Sequence, residues 1–204
     1  MVEVKPGFTI QGKVNGKQIL KNIERYGRIC YKSEKKITPN SARKFVATII
    51  KSGHESVIEH EKVTVIIVCD RGVSHEIVRH RIGSYSQEST RYCNYQSQGI
   101  KTITPLFFIN DDEKYQIWQD AMRYSELAYN RLIEKGAQPQ EARSVLSTSL
   151  KTEISITYNL REWRHFFKLR CAKKAHPQMR EITIPMLAEF KRLIPVIFDD
   201  IIPE

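Results

Sequence analysis

Four basic side chains fall within thirteen positions of the segment Arg79-His80-Arg81-Ile82-Gly83-Ser84-Tyr85-Ser86-Gln87-Glu88-Ser89-Thr90-Arg91. Arginine presents a planar fork of donors that matches an oxyanion two oxygens at a time, and its charge is not lost at any working pH. Serine and threonine hydroxyls beside such a fork add neutral hydrogen bonds, so the chemistry the segment suits is the binding of an anion. A basic helix end with ordinary turn residues after it has the same composition. The return of Arg91 so soon after the triplet favours a pocket.

Other chemistries leave weaker marks. His54, Glu59 and His60 lie close together but lack the His-Glu-x-x-His spacing of a zinc helix, so structural hydrogen bonding is the expectation and no metal is assigned. There is no Gly-x-Ser-x-Gly elbow, no Gly-x-Gly-x-x-Gly turn and no P-loop. Cys30, Cys69, Cys93 and Cys171 are scattered without a Cys-x-x-Cys pair, which suits reduced thiols.

The elements that must position these residues follow from periodicity. Residues 8–14 alternate as a strand, Asn15-Gly16 marks a turn, and a helix follows to about Cys30. Thr38-Pro39-Asn40 opens a second helix that Gly53 stops. The β-branched run Val63 to Val68 predicts a central buried strand. A helix from Asp70 to about Arg81 would place the basic triplet on its last turn, with the hydroxyls on a loop reaching Arg91. A further strand is expected within 100–108, and a long amphipathic helix over Asp111 to Lys135. Pro139 starts a helix carrying Arg143, and residues 151–158 alternate as a strand. Asn159-Leu160-Arg161-Glu162 has capping-box spacing, so a helix begins there with Glu162 reaching back to the cap. On that helix Arg161, His165 and Lys168 fall opposite Trp163, Phe166 and Phe167. Arg170 falls among the aromatics, where it either extends to solvent or holds something buried. The last helix covers about 177–192.

The chain of 204 residues, 41% hydrophobic and 27% charged, is expected to form one domain over 1–204, since no linker or composition shift divides it. The first residues carry charges where a signal peptide needs an apolar core, and no apolar run is long enough to span a bilayer, so a cytoplasmic protein is expected. A net charge of +10 favours an anionic partner. Charge alone does not separate nucleic acid from phosphorylated small molecules. A nucleic-acid-binding module is disfavoured because the basic residues are spread along the chain and no recognised motif appears.

Arg79-His80-Arg81 with seven residues to Ser89 resembles the signature of the flavin-dependent thymidylate synthases. The likeness continues in Gly53-His54-Glu55-Ser56 with Glu59-His60, in Arg143, in the stretch Asn159 to His165, and in Leu169-Arg170 before His176-Pro177-Gln178. It covers most of the chain from about residue 53 onward. The resemblance implies an α+β fold with a central mixed or antiparallel sheet flanked by helices. It implies reductive methylation of dUMP to dTMP, with methylenetetrahydrofolate as carbon donor and NADPH reducing a bound FAD.

The resemblance also implies roles. Glu76, Arg79, Gln87, Glu88, Ser89, Thr90, Arg91 and Arg143 answer to the dUMP site, with Arg143 coming from a neighbouring subunit and either Gln87 or Glu88 meeting the nucleotide. Arg170 answers to the catalytic arginine that faces the uracil ring. Ser56, Arg79, His80, Arg81, Gln87, Asn159, Arg161, His165 and Arg170 answer to the FAD site. Ser89, with no evident base beside it, is a ligand rather than a nucleophile. A homotetramer with active sites at subunit interfaces, and no nucleic-acid or membrane partner, completes what the resemblance implies. A relative that binds FAD or dUMP without turnover is the remaining alternative.

Overall fold

Asn15 opens the first helix by accepting the backbone N–H of Gln18 at 3.1 Å, the arrangement that satisfies an otherwise unpaired first-turn donor. That helix, α1, spans Gly16–Ile29 in a computed structural model that describes residues 1–97 and 99–203. The preceding strands are β1 (Val2–Val4) and β2 (Gly7–Ile10). β2 is shorter than its alternation predicts because Gly12, at φ +72°, turns the backbone into the left-handed region. Helix α2 (Ser41–Lys51) and a 3-10 turn over Glu55–His60 lead into β3 (Lys62–Asp70).

Side chains alternate along β3, with Val63, Val65, Ile67 and Cys69 buried, and along β6 (Lys151–Asn159), with Thr152, Ile154, Ile156 and Tyr158 buried. Each strand thus gives one face to a core, as period-two alternation requires. The strand order is β2-β3-β6-β4, where β4 is Ser84–Gln87. Thr64 meets Thr157 through their hydroxyls at 2.8 Å, and Leu160 N–H donates to the Glu61 carbonyl at 2.9 Å, so β3 and β6 run antiparallel.

Helix α3 covers Arg71–Ile77, not the expected run to Arg81. Asp70 caps it at 2.7 Å from the Val73 N–H, and Val78 closes it by donating to the Ser74 and Glu76 carbonyls. The β-branched pair Ile77-Val78 supports helix weakly, and His80 is only 4% exposed, so tertiary burial carries the triplet out of the helix. The expected hydroxyl loop is likewise partly strand. Gly83 permits it: a Cβ there would lie 2.3 Å from the Tyr158 ring and 3.2 Å from the Thr157 carbonyl. Within 100–108 only β5 (Lys101–Ile103) is strand, paired in parallel with β1 in the register Val2 to Lys101.

Contacts divide the chain into two compact units. The first holds residues 1–8, 66–79 and 85–155. It contains α3, α4 (Asp112–Glu134) and α5 (Pro139–Ala142), and a core cluster there gathers Ile100, Tyr129, Ala142 and Leu150. The second unit holds residues 9–65, 80–84 and 156–204. Besides α1 and α2 it contains α6 (Leu160–Arg170) and α7 (Pro177–Leu193). Its core is aromatic: the Trp163 ring stacks on Phe167 at 5.6 Å and meets Phe190 at 4.9 Å, with Phe198 beyond.

Candidate active site

Asn159 starts α6 by accepting the Glu162 N–H at 2.8 Å. Half of the predicted capping box is present. The Glu162 carboxylate does other work: its Oε1 lies 3.1 Å from His80 Nδ1. On the far side of the same ring, Arg170 Nε donates to His80 Nε2 at 3.0 Å. The imidazole is enclosed by the rings of Phe166 at 5.0 Å, His165 at 5.4 Å and Tyr158 at 6.2 Å. Burial first, then the Arg170 charge and His165, hold its pKa down at about 4, so the ring is neutral near pH 7. Burial raises the Glu162 carboxyl above its ordinary value, with His165 opposing.

Arg170 ends α6 half-buried, and its carbonyl accepts from Thr183 Oγ1 of α7 at 2.9 Å. Of the two readings of an arginine among aromatics, its contact with the buried His80 favours the one that holds something buried. His80, Glu162 and His165 also bring three potential ligand atoms within 4.8 Å of one another. A guanidinium donating to His80 Nε2 opposes a cation there, and Glu162, His80 and Arg170 form a hydrogen-bonded chain.

Beside this chain lies a cavity of about 490 Å³ lined by Asn159, Arg161, Glu162, His165, Lys168, Ile82, Glu55 and Glu59. Arg161 closes on Glu59 at 2.5 Å in an exposed pair. Ser56 sits exposed on the adjoining 3-10 turn, and Arg81 is exposed after the helix end. Thus Asn159, Arg161 and His165 meet in one cavity with His80 behind them, while Ser56 and Arg81 do not line it.

The first unit has its own polar cavity, about 280 Å³, lined by Arg71, His75, Gln87, Thr90, Arg143 and the 146–150 segment. Gln87 Nε2 donates to Ser74 Oγ at 2.9 Å and to Thr152 Oγ1 at 3.1 Å. Arg143 Nη1 donates to Thr90 Oγ1 at 3.2 Å, so the chain's own Arg143 already reaches this group. Glu88 lies elsewhere: Tyr95 Oη and Lys151 Nζ each hold one of its carboxylate oxygens at 2.9 Å. Of Gln87 and Glu88, therefore, Gln87 faces the cavity. Ser89 Oγ accepts the Arg91 N–H at 3.3 Å. Glu76 is half-buried on α3, Arg79 is exposed, and the exposed Arg91 leans over the Tyr92 ring at 5.4 Å. These residues and Ser89 are not among the described residues lining this cavity.

Sequence reasoning assigned no role to Arg71, which donates to the Glu88 carbonyl at 3.2 Å and to Thr152 Oγ1 at 3.2 Å. Its signal was available, because a cation in the first turn of a helix opposes the dipole and needs a compensating contact. The capping spacing of Asn159 and Glu162 gives no sign of the contact between Glu162 and His80. No cysteine lines either cavity among the described residues, and burial raises the thiols of Cys69 and Cys171.

The family described as thymidylate synthase complementing protein matches residues 15–196. The chain belongs to the thymidylate synthase complementing protein family. A flavin-dependent thymidylate synthase from Geobacter sulfurreducens is 36% identical over 180 residues, spanning 85% of this chain and 78% of that protein. Its counterpart from Pyrococcus furiosus is 35% identical over 173 residues, spanning 83% and 71%. The UMP/dUMP methylase PolB from Streptomyces cacaoi, solved with 5-Br dUMP, shares the fold at a TM-score of 0.79 and 22% identity, covering 98% of this chain and 96% of PolB. The α+β architecture, with its antiparallel β3–β6 core pair, is thus that of the thymidylate synthase complementing family.

Proposed function

We propose that this protein is a flavin-dependent thymidylate synthase that methylates dUMP to dTMP, with FAD as bound cofactor, methylenetetrahydrofolate as carbon donor and NADPH as reductant. The observation that carries the reading is how the assigned residues distribute. Those assigned to dUMP fall in the first unit apart from Arg170, and those assigned to FAD fall in the second apart from Arg79 and Gln87. Within each unit, part of the assigned set lines a cavity rich in hydrogen-bond donors.

Arg161, His165, Lys168 and the Asn159 amide give the second unit's cavity donors for the FAD phosphates, which would take Arg161 and Lys168 from their carboxylate partners Glu59 and Glu55. Bound FAD would supply the hydride. The chain's own residues do the binding and set the charge. Gln87, Thr90 and Arg143 offer donors suited to a nucleotide. Arg170 stabilises negative charge on the pyrimidine, and a guanidinium in a poorly solvated position does this better than one in water. Ser89 has its oxygen engaged by the Arg91 backbone N–H, which supports binding rather than attack.

The same reading takes the working form to be a homotetramer in the cytoplasm, testable by light scattering against four times the 23.8 kDa chain mass. The decisive experiment is direct. Purified protein should show flavin absorbance and form dTMP from dUMP only when NADPH and methylenetetrahydrofolate are both present. Colourless protein that takes up no FAD and makes no dTMP overturns the proposal.

A further inference from the structure

His80 is 4% exposed and Glu162 6% exposed, and the two meet in a pocket walled by Phe166 and Tyr158. Which ring nitrogen carries the proton follows from the partners. A guanidinium N–H can only donate, so His80 Nε2, 3.0 Å from Arg170 Nε, must present its lone pair. A neutral imidazole has one N–H, which then sits on Nδ1, facing Glu162 Oε1 at 3.1 Å. The carboxyl offers an accepting oxygen whether or not it is protonated.

We propose that Glu162 is a positioning residue for the reaction: by holding His80 in its Nδ1–H tautomer it makes Nε2 the acceptor that orients the Arg170 guanidinium. The inference rests on the proposed function for what Arg170 then does. Without an acceptor at position 162, the imidazole can place its proton on Nε2. Two donors would then face each other, and Arg170 would swing from its place. Catalytic groups displaced by about 1 Å lose on the order of a hundredfold in rate. Gln87, Thr90 and Arg143, which make none of these contacts, should keep dUMP binding nearly intact.

The test compares Glu162→Leu, which removes the acceptor at similar volume, with Glu162→Gln, which retains an accepting oxygen. E162L should lose roughly a hundredfold in kcat, with the KM for dUMP changed by less than about threefold. E162Q should recover most of that loss. In histidine-selective 15N spectra of the flavin-free protein near pH 7, with His80 assigned from the signal missing in His80→Gln, wild type and E162Q should carry the proton on Nδ1. E162L should show it on Nε2 or divided.

A wild-type His80 protonated on Nε2 or on both nitrogens overturns the proposal, as does an E162L enzyme with wild-type kcat or an E162Q enzyme as impaired as E162L. Should E162L fail to fold, the wild-type tautomer decides. Wild-type protein that makes no dTMP would sink the functional reading, while the tautomer still tests the contact of Glu162, His80 and Arg170 on its own.

Discussion

Arg170 meets His80 through its Nε, and under the proposed function its truncation removes the charge that stabilises the pyrimidine. In Arg170→Ala, kcat should fall by about a hundredfold or more, the loss expected when one preorganised charge stabiliser is removed. The dUMP dissociation constant should rise by much less. Single-turnover kinetics beside calorimetric titration checks this, and equal turnover in the variant would refute the role. His80 makes a second expectation, in stability. Its folded pKa of about 4 lies below the ordinary 6.5 because of burial, then Arg170 and His165. Between those values the unfolded chain takes up a proton that the folded one does not, so this contribution is complete above about 6.5 and is lost as pH falls toward about 4. His80→Gln abolishes the titration while offering both a donor and an acceptor. Urea midpoints above, within and below that window should therefore fall more steeply with acidification in wild type than in H80Q. Parallel curves would count against a neutral buried His80.

At the scale of elements, Gly83 shows how a small residue lets β4 form. A Cβ at this position would press into the Tyr158 ring at 2.3 Å, and Tyr158 is itself one of the rings around His80. Gly83→Ala should cost about 1–3 kcal/mol, as overpacking in a filled space does, and should lower flavin retention with it. Denaturant titration and the flavin-to-protein absorbance ratio measure the two effects. Elements with strong periodicity were legible in the sequence: α1, α2, α4, α6, β3 and β6 lie where alternation, caps and breakers put them. β4 was not, because Ser84-Tyr85-Ser86-Gln87 lacks the apolar alternation that marks a strand, and its pairing is set by chain more than sixty residues away. α3 ends short of its expected length for a related reason. The pull that ends it is the burial of His80 against Glu162, a contact between residues 82 apart. Candidate residues were legible through the family resemblance, whereas the orientation of Glu162 and the contact of Arg71 with the Glu88 carbonyl arise only from packing. Local pattern also said nothing about Arg143 lying against Thr90 of its own chain.

For the whole molecule, the chain's path bears on cooperativity. The boundary between the two compact units falls inside strands, after Val65 in β3 and after Ser155 in β6. A strand cannot fray in one half and keep its ladder geometry unchanged in the other, so melting either unit disturbs strands that the other uses. The shared strands therefore predict a single cooperative transition. The two tryptophans give a clean probe, because Trp118 belongs to the first unit and Trp163 to the second. Trp118→Phe leaves Trp163 as the sole indole reporter, while far-UV circular dichroism follows helices of both units. In this variant, at one fixed protein concentration because any oligomer makes unfolding concentration-dependent, the fluorescence and dichroism curves in urea should superimpose. Separate midpoints would mean that the second unit unfolds independently, and the shared strands would then not couple the two.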